Sequence, residues 1–366
     1  MNPVAALATL AIAALTGLVV HLRARRYGAD ERGDPETAGN LRRLQRVGVV
    51  AGWLVGTAVG LGFDTPTTGT ALVAGVAPWL GAAAAGAVGT GLALAVPAVL
   101  AALAARLGAL PLQRTVERLT PTYGEVLRFE LERATASVVG LSLAALVVAV
   151  VPDGWPRIGA AVALGAGATL GTPAWLVLTH RARRPTGAET AAVAAALPDS
   201  VSLLVVEGGP AGLSAVAAGV APGPRYVFVD ATLFALLGDA EVRAVVAHEV
   251  GHHRHGHVAA RYALLVGAVV PLLAVAEFAP SLLVPVLPVV AVYGLGALVA
   301  VRRMELTADD HALANGGAAL ADSLETLLGL GYLRAAAGGP ARLLAVHPPL
   351  IDRIERARST DGQTGQ

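Results

Sequence analysis

The chain contains no cysteine and no lysine. Without cysteine there is no disulfide, no thiolate metal ligand and no Cys nucleophile. A metal centre, if there is one, must be built from histidine and carboxylate. All 27 basic side chains other than histidine are Arg. Together with the abundance of Ala, Gly, Val and Leu, this usage points to a GC-rich prokaryotic genome. Charge is scarce too: 14% of the 366 residues are charged and 55% hydrophobic, where soluble domains carry about 25% charged residues. That composition describes an integral membrane protein. The net charge of +1 argues against nucleic-acid binding.

A membrane span needs about 20 mainly apolar residues. The stretches that qualify are Val4 to Val20, Val47 to Phe63, Thr70 to Ala105, Ala134 to Val151 and Ile158 to Thr179, then Tyr262 to Phe278 and Leu282 to Val301. Thr70 to Ala105 fits one tilted or broken crossing or two short ones, with Pro78 and Pro97 as break points. Val4 to Val20 lacks a charged leading region and is followed by Arg rather than a cleavage site, so it reads as an anchor. Arg23, Arg25, Arg26, Arg42, Arg43 and Arg46 follow the first span. Arg106, Arg114, Arg118, Arg128 and Arg133 follow the long stretch, and Arg181, Arg183 and Arg184 follow Thr179. The positive-inside rule places these loops in the cytoplasm and the N-terminus outside, provided Thr70 to Ala105 crosses an odd number of times. Leu107 to Arg133, where Arg and Glu mix, reads as an amphipathic or solvated linker helix.

The strongest chemical signal is His248-Glu249-Val250-Gly251-His252. In a helix this spacing puts both imidazoles on one face, where they can share one Zn²⁺, with the Glu beside a metal-activated water. Helical periodicity runs through Val242, Val245, Val246 and Val250. Asp239 is placed to cap the N-terminus, and Glu241 suits the dipole. Gly251 costs roughly 1 kcal/mol against Ala inside a helix, which predicts a close approach of another backbone. His253, His255 and His257 read as polar groups at the helix end, with an accessory metal site as the other reading. His311 reads as a surface or packing residue.

A second signature is Arg302-Arg303-Met304-Glu305-Leu306-Thr307-Ala308-Asp309. Glu305 and Asp309 share a helix face. Glu305 can complete a His₂Glu site that keeps a fourth position open. Asp309 can accept the free ring N–H of a ligand His and so fix its tautomer. A hairpin made of Tyr262 to Phe278 and Leu282 to Val301, turning near Pro280, returns the chain to the side it left, so Glu305 emerges level with His252. Glu277 falls near the hairpin tip, either at the outer interface or as a buried functional acid.

These motifs resemble those of the membrane zinc metalloproteases of the HtpX and CAAX-prenyl-protease type, a branch of the gluzincins. The resemblance rests on Ala240 to His257, on Arg302 to Asp309, and on His347-Pro348-Pro349 followed by Arg353-Ile354. It covers roughly the C-terminal half. It implies one zinc per chain on His248, His252 and Glu305, with Glu249 as general base. It also offers His347 and Arg353 as the further polar groups of the site. His347 then acts on the reaction directly or supports it, while Arg353 or Arg302 pairs with Asp309 or another buried acid. An edge strand that takes substrate by backbone hydrogen bonding is expected at Ser214, Ala215, Val216 and on to Gly219. The Asn that such proteases often carry there is missing.

The expected fold is mainly α: a polytopic transmembrane helical protein with a small α+β gluzincin-type zinc metalloprotease domain. Residues 1–180 form an N-terminal transmembrane region. Residues 181–260 hold a short helix (Glu189 to Leu197), strands at Val201 to Glu207 and Tyr226 to Val229, and the zinc helix. Residues 261–301 form the membrane hairpin, 302–358 the second part of the protease domain, and 359–366 a disordered tail. The expected activity is zinc-dependent endopeptidase action on peptide or membrane-protein substrates, with the active site facing the cytoplasm of a multi-pass protein of the plasma membrane. Quality control of membrane proteins is the role this implies. Alternatives are a CAAX-type processing protease, a protease-domain membrane signalling protein, or a zinc-stabilised scaffold.

Overall fold

A computed structural model describes residues 3–25, 44, 47–49, 51, 65–77, 79, 81–116, 122–179, 181–207, 215–329 and 347–364. Most of the expected span at 47–63 lies outside the described residues, as do Pro78, Ser214, Arg118 and the arginines at 26, 42, 43 and 46. The chain is mainly helical and divides into two units, residues 1–164 and 165–366.

The first unit contains α1 (Pro3–Arg25), α2 (Thr65–Val76), α3 (Ala82–Val116) and α4 (Tyr123–Val150). The long apolar stretch is therefore split between Val76 and Ala82, while Pro97 stays inside α3. At 1.5 Å per residue the 12 residues of α2 rise about 18 Å, too little to cross a bilayer core of about 30 Å. Residues Ala82–Pro111 of α3 are long and apolar enough to cross. The packing relies on small side chains, with Ala98, Ala101, Ala102 and Ala105 fully buried, as helix contacts without a hydrophobic drive require. Glu130 corrects the expectation of a solvated linker at 107–133. It is buried in α4 and paired with Arg106 of α3. An uncompensated charge could not be buried there.

The second unit carries α5 (Trp155–Thr179, which begins in the first), α6 (Gly187–Val193), β1 (Ser202–Val206), β2 (Ala215–Ala218), β3 (Tyr226–Asp230), α7 (Ala231–Leu236), α8 (Asp239–Arg254), α9 (His257–Phe278), a short turn of 3₁₀ helix (Pro280–Leu282), α10 (Leu283–Gly316), α11 (Ala319–Gly329) and α12 (Leu350–Thr364). The strands form one sheet in the order β1-β3-β2, with β1 parallel and β2 antiparallel to β3. Central β3 buries Val227, Phe228 and Val229. The outer side of β1 is met by residue 183: Arg183 N–H donates to Val205 O at 2.8 Å, and Val205 N–H to Arg183 O at 2.9 Å. The outer side of β2 is turned to α8.

The core of this unit is built from Val193, Leu203, Val227, Val229 and Leu233 against Val242, Val246 and Val250 of α8, Ala312 of α10, Leu324 of α11 and Ile354 of α12. α5, α9 and α10 are long and apolar enough to span a membrane. Leu265, Val284, Val289 and Val292 on α9 and α10 are exposed. These are surfaces that lipid rather than water would cover. α12 runs to Thr364, where a disordered tail is expected from Ser359. Leu350, Ile354 and Ala357 bury one face of α12 in the core, while Arg356 pairs with Asp310 of α10 and Arg358 with Asp322 and Glu325 of α11, so both apolar burial and ion pairs anchor the helix.

Candidate metal centre

α8 starts one residue earlier than expected. Gly238 is its N-cap and Asp239 its first helical residue. Glu241 reaches back so that its Oε2 accepts the Gly238 N–H at 2.7 Å, and its Oε1 accepts the Thr326 hydroxyl of α11 at 2.9 Å. Almost every face of α8 is buried, including those of His248, His252 and His253. A helix so enclosed holds its side chains to one rotamer each by packing.

The hairpin brings the second set of groups to it. α9 rises about 32 Å from His257 to Phe278. α10 returns about 33 Å from Leu283 to Glu305 as one uninterrupted helix. The two arms match, so Glu305 comes back to the level at which α9 left. Gly251 permits the final approach: a methyl there would stand 3.0 Å from Ala308 Cα.

The resulting cluster is compact. His248 Nε2 and His252 Nε2 are 3.2 Å apart. Glu305 Oε2 is 3.8 Å from the first and Oε1 3.6 Å from the second. His248, Glu249 and His252 offer ligand atoms that all lie within 4.8 Å of one another. Ligand atoms about 2.0–2.1 Å from a tetrahedral zinc stand roughly 3.3 Å from each other, so the two imidazoles and Glu305 fit such an ion. Two imidazole nitrogens facing each other beside a carboxylate that is 1% exposed form a donor set that a divalent cation satisfies.

The surrounding groups fix these side chains. His248 Nδ1 lies 2.9 Å from Asp309 Oδ1. Asp309 is gripped in fork fashion by Arg353, with Nη2 to Oδ1 at 2.6 Å and Nε to Oδ2 at 2.8 Å. Asp309 is thus held by α8 and α12 together. His347 Nδ1 lies 2.7 Å from Glu305 Oε2, although its side chain is 66% exposed. Arg261, absent from the sequence expectations, places Nη2 on Glu305 Oε1. His257 Nδ1 lies 2.9 Å from His252 Nδ1. His253 Nε2 donates to the Tyr226 carbonyl of β3 at 2.9 Å. His253 and His257 are therefore buried members of the fold rather than a polar helix tail, and His311 packs beside Gly251. No pattern in the sequence singles out Arg261 beyond a charge in the first turn of an apolar helix.

Electrostatics follow from this packing. Burial, reinforced by the neighbouring His248, pushes His252 down to about 3. Its ring is neutral at physiological pH and able to ligate. Burial also lowers His248, but the Asp309 contact and the charge of Glu249 outweigh it and leave the ring above its ordinary value. Desolvation raises the Glu249 carboxyl, while His248 and the Ala217 N–H pull it back. That N–H comes from β2 and donates to Glu249 Oε2 at 2.7 Å. Ala217 therefore turns its backbone away from β3, and by the two-residue period of a strand so does Ala215. The open edge of β2, with Ala215 and Val216 within it, lies next to Glu249.

A helix-borne His-Glu-His cluster, a facing carboxylate and a strand edge beside it, carried on helices that cross a membrane, define a membrane metallopeptidase. The profile of Peptidase family M48 matches residues 180–361, and this part of the chain belongs to that family. Among solved structures the chain is similar in fold to S. mikatae Ste24p, with a TM-score of 0.61 over 92% of this chain and 88% of that one, at 14% identity. Comparison with curated proteins yields no significant match.

Proposed function

We propose that the chain is a zinc-dependent endopeptidase in which His248, His252 and Glu305 hold the ion and Glu249 is the general base. The observation that carries this is the meeting of the three donors within 3.2–3.8 Å, with Glu249 turned instead to the edge of β2. When bound, Zn²⁺ polarises a scissile carbonyl and acidifies water. Glu249 takes a proton from the attacking water at its carboxylate and returns it to the leaving amine. A peptide adds to the edge of β2 at Ala215 and Ala217 and replaces Glu249 as the acceptor of the Ala217 N–H, which leaves the Glu249 carboxylate free beside the scissile bond. Asp309, fixed by Arg353, holds His248 in the tautomer that leaves Nε2 free. His347, exposed but tied to Glu305 through Nδ1, is placed to donate to an oxygen that gains charge in the transition state. The protease domain is interrupted by the hairpin at 261–301. The arginines at 181, 183 and 184 and at 302 and 303 support a cytoplasmic active site of a prokaryotic plasma-membrane protein. Turnover of damaged membrane proteins is the role that suits such a site. A CAAX-type processing protease would use the same residues, so only substrate separates the two.

The test is zinc content and cleavage of casein or of the chain itself, in detergent, for wild type and Glu249→Gln side by side. Metal in both with cleavage only in wild type is the expected result. Absence of metal from wild type, or equal cleavage by both, overturns the proposal.

A further inference from the structure

Two of the three zinc-site side chains are braced from one place. His257 and Arg261 stand one turn apart at the start of α9, and hence on one face. Gly256, at a φ of +67°, makes the turn between α8 and α9. This left-handed backbone folds His257 back onto the helix it has just left. The His252 and His257 rings meet edge to face with centroids 5.1 Å apart, and both residues are buried. His252 points Nε2 at His248 and Glu305, so Nδ1 is its only other polar atom, and His257 Nδ1 lies 2.9 Å from it. Arg261 crosses to α10 and holds Glu305 Oε1.

We propose that the first turn of α9 is a built part of the metal centre, with His257 the positioning residue for His252 and Arg261 the positioning residue for Glu305. The proposal rests on the zinc-site reading above. His252 donates its Nδ1–H to the His257 Nδ1 lone pair, and the remaining proton of His257 then sits on Nε2. That assignment leaves His252 Nε2 with a free lone pair, which a ligand needs. Arg261 fixes the carboxylate plane without exhausting it, since a carboxylate offers about four lone-pair sites. Because α9 continues into the membrane, a helix that crosses the bilayer sets the posture of two ligands.

The experiment measures zinc affinity of the full-length protein in detergent by competition with a chromophoric chelator. Melting of the metal-free form is followed in parallel. The variants are His257→Ala, His257→Asn, Arg261→Ala and Arg261→Lys. Loss of a partner that orients a ligand weakens metal binding by roughly 10- to 100-fold, and this is expected for both Ala variants, with metal-free melting unchanged. Asn keeps an acceptor oxygen near the His252 Nδ1–H and should recover most of the loss. Unchanged affinity in both Ala variants overturns the proposal, as does an Asn variant no better than Ala. So does affinity that falls only in step with metal-free melting. A wild type without zinc removes the zinc-site reading and this proposal together. A wild type that binds zinc, beside an equally tight His257→Ala and Arg261→Ala, removes this proposal alone.

Discussion

Gly251 of α8 and Ala308 of α10 meet backbone against backbone, between the two helices that carry the candidate ligands. A methyl at Gly251 would stand 3.0 Å from Ala308 Cα and 3.1 Å from His311 Cβ. Gly251→Ala gains about 1 kcal/mol of helix propensity and costs about 1–3 kcal/mol of overpacking. The obstructing atom is backbone and cannot swing aside, so the cost wins. The variant should be destabilised by about 1 kcal/mol, Gly251→Val by more, and both should bind zinc less tightly because His252 and Glu305 are pushed apart. Thermal melting and chelator competition check this. A Gly251→Ala protein that melts higher than wild type contradicts it.

Glu305 and Glu249 should separate in their response to the same substitution. Glu305→Gln removes the charge of the proposed third ligand, which Arg261 and His347 also hold, so stoichiometric zinc should be lost. A ligand present at 1,000 times its Kd stabilises by about 4 kcal/mol, and the zinc-dependent rise in melting temperature should vanish with it. Glu249→Gln should keep that rise. Retention of the rise in Glu305→Gln removes Glu305 from the ligand set.

Asp309 and Arg353 form a pair with almost no exposure on either side, at 4% and 10% of their side chains. Arg353→Ala leaves the Asp309 charge buried without its main partner, which costs about 3–5 kcal/mol and should loosen α12 from α10. Asp309→Asn should lower zinc affinity by roughly 10- to 100-fold through His248. Hydrogen exchange over residues 350–364 and zinc competition read the two effects separately. If α12 stays protected in Arg353→Ala, the pair does not hold the helix.

Much of this site can be read along the chain because helix geometry converts spacing into position. His248 and His252, and Glu305 and Asp309, are each four residues apart, and the structure lays each pair along one face and turns the faces together. The hairpin was legible for the same reason: two apolar arms of similar length bring Glu305 back to the level of α8. What escaped was set by contacts between distant segments. His257 and Arg261 reach His252 and Glu305 only because Gly256 turns α9 back. Glu130 sits in a run of Arg and Glu that looks like any solvated helix face. Only its packing against Arg106, 24 residues earlier in sequence, shows that it is buried.

The entry to the protease domain carries a pH-dependent clasp. Arg183 holds Glu189 through both carboxylate oxygens, at 2.8 and 2.7 Å. Glu189 also accepts the Thr186 N–H at 2.7 Å, in a capping box that starts α6. The Arg183 hydrogen bonds, opposed by desolvation and aided by Thr186, lower Glu189 from 4.5 to about 2. A carboxyl held below its unfolded value binds fewer protons in the folded state, so stability rises with pH in that window. The clasp should therefore contribute fully above about pH 5 and fade as pH falls from 4.5 toward 2. Arg183 is about one third exposed, and solvent screening limits the contribution to about 1 kcal/mol. Glu189→Gln should melt below wild type at pH 7, with the gap closing as pH is lowered to 3. A gap that stays constant across that range would assign the difference to the hydrogen bonds lost with one of the two acceptor oxygens rather than to the charge on Glu189.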